Sequence, residues 1–154
     1  WIRVRKNIFT IGILALFILS IANCSSSKKA ISITDDEKAA FSQTKGDTIS
    51  IKDDKTAYEI IIIDPGFDFW LQSIAKPEGF YSQSYLENRN RIYVLEWNSR
   101  VTQPFRYSPN LYELQIDYNS NTDYGYEVNY KLYNYFIYFQ RKYNQRLGPF
   151  VPRV

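Results

Sequence analysis

Asp117, Asn119, Asn121 and Asp123 set oxygen-bearing side chains at every second position, the spacing with which a calcium loop presents its first ligands. The pattern then lapses. A calcium loop wants Gly at its sixth position, where Thr122 stands, and Glu at its twelfth, where Val128 stands with Glu127 one place early. The same side chains also suit an Asx-rich connection between two elements, which is the reading favoured here. Were a cation to bind, these four residues would be its ligands.

Paired carboxylates are the other chemistry in reach, as in a hydrolase acting on envelope glycans. Glu59, Asp64, Asp68, Glu78, Glu87, Glu96, Glu113, Asp117, Asp123 and Glu127 are candidates, but no spacing selects two of them. With no His and one Cys, Ser-His-Asp and Cys-His catalysis by the chain's own residues is excluded, as are zinc sites built on His or several Cys. Neither GxGxxG nor GxxxxGK[ST] occurs, so no phosphate-cradling loop is present and no cofactor is expected. The chain reads as a non-enzyme. Glu87-Asn88-Arg89-Asn90-Arg91 reads first as a solvated helix face; its alternative is an Arg site that grips an acidic group with two parallel hydrogen bonds.

The single cysteine has a different setting. Arg3, Arg5 and Lys6 form a short basic start, and Ile8 to Ala22 is apolar apart from Thr10, Gly12 and Ser20. A spanning helix wants about 20 apolar residues, and this run is shorter, as in a signal peptide. Ile21-Ala22-Asn23-Cys24 resembles a bacterial lipobox, in which the Cys is acylated; Asn23 departs from the small residue usual before it. The alternative is an uncleaved anchor with an incidental Cys. Loss of Arg3, Arg5 and Lys6 with the leader would reduce 19 basic residues to 16, equal to the 16 acidic ones. A near-neutral mature chain argues against nucleic acid as a partner, because that needs a basic footprint.

The elements that would position these groups follow from pattern. Ser25 to about Asp47 reads as a tether, with a short helix over Asp35–Phe41 as the alternative. Thr48–Ile51 and Thr56–Asp64 read as two strands around a turn, and Ile60 to Ile63 as a strand buried on both faces. Asp64 reads as the cap of a short helix with Pro65 at its first position. Phe67, Trp70, Leu71 and Ile74 follow at helical spacing. Ser84-x-x-Glu87 reads as a capping box opening a helix with the stripe Leu86, Tyr93, Val94, Trp97 and Val101, ending about Thr102 before Pro104. Residues 112–118 alternate apolar and polar, which predicts a third strand.

The last helix, Tyr126 to Leu147, is apolar on two faces. Val128, Leu132, Tyr135, Phe136, Phe139, Tyr143 and Leu147 form one. Tyr130, Tyr133 and Ile137, with Asn134 and Arg141 beside them, form the other. Such a helix is either sandwiched in a core or exposes a contact surface, here Tyr130, Tyr133, Ile137 and Arg141.

EIIIIDPGF (Glu59–Phe67), YSQSYLENRN (Tyr81–Asn90) and YGYEVNYKLYNYFIYFQRKYNQRL (Tyr124–Leu147) resemble a family of small, Tyr-rich bacterial lipoproteins classed as a domain of unknown function. The resemblance implies an envelope protein with several acyl chains on Cys24 and a domain held outside the cytoplasm, and it assigns neither an activity nor site residues. The expectation is therefore an α+β fold, a small antiparallel sheet of two or three strands packed with about three helices. Its parts are a leader over 1–23, Cys24 and a tether over 24–47, one domain over 48–147 and a tail over 148–154. The partners expected are a membrane, through the lipid, and an envelope protein or polymer.

Overall fold

The computed structural model describes residues 31–43, 49–52, 59–62 and 64–154. The expected leader, Cys24 and the turn after Lys52 lie outside the described residues. Four helices are described: α1, Asp35–Phe41; α2, Phe67–Ser73; α3, Gln83–Val101; and α4, Gly125–Lys142. Two short strands, β1 (Ile49–Lys52) and β2 (Glu59–Ile62), pair antiparallel with Ile49 opposite Ile62 and Lys52 opposite Glu59.

The helix α4 organises the core. Twelve of its eighteen residues are buried, from Val128 to Arg141, on both of the faces that the sequence marks as apolar. The helix α3 packs along one side: Tyr93 meets Phe136 at 5.5 Å and Trp97 meets Phe139 at 4.7 Å between ring centroids. Phe67 and Trp70 of α2 come in around Tyr138 at 5.3 and 5.6 Å. Offset and edge-on aromatic pairs of this kind add about 0.5–1.5 kcal/mol each beyond the area they bury. Among the described residues no helix is long and apolar enough to cross a membrane.

The fold is therefore helical, and the expected α+β class is corrected. Every described core side chain lies on a helix or in the segments that follow α3 and α4. Four residue pairs between β1 and β2 make too small a hairpin to serve as the organising layer of a core. The third expected strand does not form. Its backbone is held by side chains of α3 instead: Trp97 Nε1 donates to Leu114 O at 3.0 Å, while Asn98 donates to Ile116 O at 2.9 Å and accepts from Ile116 N at 2.8 Å. These bonds satisfy backbone groups of a segment that has no neighbouring strand among the described residues. The alternation that suggested a strand is broken by Leu114, which is 78% exposed.

Local chemistry sets the helix ends. Thr34 and Glu37 form a reciprocal capping box for α1, so the helical alternative holds over Asp35–Phe41 and this stretch is packed, with Glu37 and Ala40 buried. The cap of α3 is Ser82, whose hydroxyl accepts from Tyr85 N, rather than Ser84. The cap of α2 is Gly66, rather than Asp64. At φ +91°, Gly66 lies so close to α1 that a Cβ would sit 2.3 Å from Ala40 O. The helix α4 stops at Lys142, short of Leu147, where Asn144 adopts a left-handed φ of +48° and Leu147 N donates back to Gln140 Oε1.

Candidate functional site

Capping by Ser82 sets the phase of α3. With the helix started there, Tyr85, Arg89 and Tyr93 fall four residues apart on one stripe. Tyr81 stands just before the cap, Tyr133 faces the stripe from α4, and residues 149–153 return across it after α4 ends. Together these side chains line a pocket of about 370 Å³.

The pocket is largely aromatic and its rings are in mutual contact. Tyr81 and Tyr85 stack 4.7 Å apart at an interplanar angle of 9°. Tyr133 meets them edge-on at 5.3 and 5.9 Å. The Arg89 guanidinium lies over Phe150, with Cζ 3.3 Å from the ring centroid, and 5.1 Å from the Tyr85 centroid. Such contacts contribute about 0.5–2 kcal/mol according to how far they are desolvated.

Arg89, which is half-buried, lacks what the buried arginines have. Its Nη1 is shielded from solvent and no protein group accepts from it. None of the ion pairs among the described residues includes it. A buried donor without an acceptor costs about 1–3 kcal/mol, and more on a charged group. The lining contains Arg89 and Arg153 and no carboxylate. Burial pushes the Tyr93 hydroxyl up to about 12 even though Arg89 pulls it down. Burial, followed by the neighbouring Tyr85 and Tyr81, raises Tyr133. Both phenols thus keep their protons at neutral pH and remain able to donate.

Among the described residues the two buried arginines, Arg100 and Arg141, are engaged at every guanidinium nitrogen. Arg141 grips Glu37 through Nε to Oε1 and Nη2 to Oε2, and also donates to Pro152 O and Ser32 O, each at 2.8 Å. Burial acts to raise the Glu37 pKa, but Arg141, Thr34 N and Trp70 Nε1 together hold it below the usual carboxylate range. Arg100 donates to Glu96, to the Tyr112 hydroxyl at 2.7 Å and to Arg146 O.

The residues that would form a contact surface, on the alternative to a sandwiched helix, are buried. Tyr130, Tyr133, Ile137 and Arg141 are 4%, 5%, 2% and 7% exposed, because α4 is packed on both faces. Tyr130 donates to Lys76 O, Arg141 ties α4 to α1, and Tyr133 alone of the four reaches the pocket. In the Asp117–Asp123 stretch the side chains stabilise turns. Asn119 Oδ1 accepts from Asn121 N, and Asp123 Oδ1 accepts from Gly125 N and Gln83 Nε2. Asp117 is exposed. Among the described residues no three His, Cys, Asp or Glu side chains gather into a group able to hold a metal. Asp64, freed from capping, accepts from Lys142 Nζ at 2.7 Å and from the Tyr143 hydroxyl at 3.2 Å, closing α2 onto the end of α4.

Sequence reasoning placed Arg89 in a polar run with an acid-gripping Arg as the alternative, but it did not connect the run to Tyr81, Tyr85 and Tyr93. The four-residue spacing of these side chains was the available signal. The contribution of Phe150 had none, since it depends on where the chain goes after α4.

No curated protein and no solved structure matches the chain. The family model described as a family of unknown function (DUF6146) matches residues 10–151, most of the chain, and the chain belongs to that family.

Proposed function

We propose that the protein is a non-enzymatic, lipid-anchored module of the bacterial envelope that binds a ligand in the pocket between α3, α4 and residues 149–153. The observation that carries the binding role is the pocket itself, about 370 Å³ in volume, with tyrosine and phenylalanine walls and Arg89 and Arg153 as its charged groups. Without a carboxylate in the lining, this pocket offers no acid–base pair for glycan hydrolysis. The attachment rests on the basic start, the apolar run and Cys24. The family match begins inside that run, so Cys24 and the helical domain fall within one family unit. Each buried methylene contributes about 0.8 kcal/mol, and two or more acyl chains anchor stably where one does not.

Growth of a bacterial host expressing the chain with a clickable fatty acid tests the attachment. Wild type should take up label and sediment with membranes, whereas Cys24→Ser should do neither. An unmodified Cys24 sulfur found by mass spectrometry would overturn the anchor.

A further inference from the structure

We propose that the pocket takes a small molecule carrying an oxyanion, a carboxylate or a phosphate, beside a planar or apolar part. This rests on the binding role assigned above to the same pocket.

Aromatic walls by themselves would also suit a quaternary ammonium group, which binds to ring faces. Here Arg89 already lies against Phe150 and Tyr85, and Arg153 is the second charged group in the lining. Two cations without a carboxylate among the lining residues repel a cationic ligand and attract an anionic one. The ring contacts also restrain the plane of the Arg89 guanidinium. A restrained fork of donors matches the two oxygens of a carboxylate or phosphate and loses little freedom on binding them. The aromatic lining, Tyr81 and Tyr85 included, faces the planar or apolar part. The volume, about 370 Å³, lies within the range of small-molecule sites.

The test is calorimetric titration of the full chain in detergent with benzoate, phenyl phosphate and benzamide, the last a neutral planar match for benzoate. At least one anion should bind tenfold or more tightly than benzamide and raise the melting temperature; comparing the two anions tells carboxylate from phosphate. Arg89→Gln should weaken anion binding at least tenfold. Arg153→Gln, at an exposed position that leaves the Phe150 contact in place, should weaken it several-fold, which keeps the test decisive if Arg89→Gln does not fold. Equal binding of benzamide and benzoate would overturn the oxyanion assignment while leaving the pocket a binding site. Binding of none of the three would overturn both. Anion binding that is indifferent to both arginine variants would place the anion elsewhere and overturn the proposal.

Discussion

Arg141 and Arg89 are the same side chain in opposite circumstances. Arg141 spans from α4 to α1, spends its donors on Glu37, Pro152 O and Ser32 O, and is 7% exposed. Arg89 lies on α3 among rings, and its Nη1 meets no acceptor. The first arrangement holds the ends of the domain together. The second leaves a cation in the lining of a pocket, with no ion-pair partner among the described residues. The difference teaches that burial of a charge does not by itself mark a site; what separates the two is whether the protein supplies the partner.

The largest expected effect comes from breaking the engaged pair. Arg141→Met or Glu37→Ala strands the other charge and should cost about 3–5 kcal/mol in denaturant unfolding. Replacing both with apolar residues should recover much of that loss. If the single variants lose under 1 kcal/mol, the contrast with Arg89 collapses. The pair also sets a pH dependence. The Glu37 pKa is lowered in the folded state, so its contribution is present above the ordinary carboxylate range and is lost as pH falls through the folded value. Glu37→Gln should flatten the acid limb of a stability–pH curve.

Gly66→Ala should come next, at about 2–3 kcal/mol, because it adds a strained left-handed conformation to a clash with Ala40 O. A similar melting temperature for this variant and wild type would mean that α1 is not held against the start of α2.

The alkaline limb is a smaller effect. Burial raises the Tyr93, Tyr118 and Tyr143 pKa values to about 12. Unfolded tyrosines ionise from about pH 10. Between those values the unfolded chain holds fewer protons than the folded one, so stability should fall as pH rises from about 10 to about 12. Tyr93→Phe should shallow that slope, and an unchanged slope would count against a buried Tyr93 hydroxyl. The smallest stability effect is expected for Arg89→Gln, about 1 kcal/mol or less, which is the loss of ring contacts alone. A loss comparable to that of Arg141→Met would make Arg89 a structural group.

Helix positions were legible where spacing and end signals agreed. The stripe from Leu86 to Trp97 is buried in α3, which stops at Val101 before Pro104. Both apolar faces of α4 were visible as well, but their fate was not. A periodic pattern says that a face is apolar; it does not say whether the partner lies in the same chain. Residues 112–118 misled for a related reason. Alternation measures burial on alternate sides, and here an extended segment pinned by Trp97 and Asn98 stood where a strand was expected. Ser84 and Asp64 were sound cap residues in plausible positions, yet Ser82 took one helix start and Lys142 and Tyr143 claimed the Asp64 carboxylate.

The sequence by itself determined the apolar helical stripes of α3 and α4 and which chemistries lack their residues, because local spacing and residue type suffice for each. Only the tertiary structure decided that α4 is covered on both sides and that Glu37 meets Arg141 across 104 positions. It also decided that Phe150 comes to lie on Arg89. The physical reason is that a charge's partner is chosen by which surfaces pack together, and that choice is made over distances in the chain that no local pattern spans.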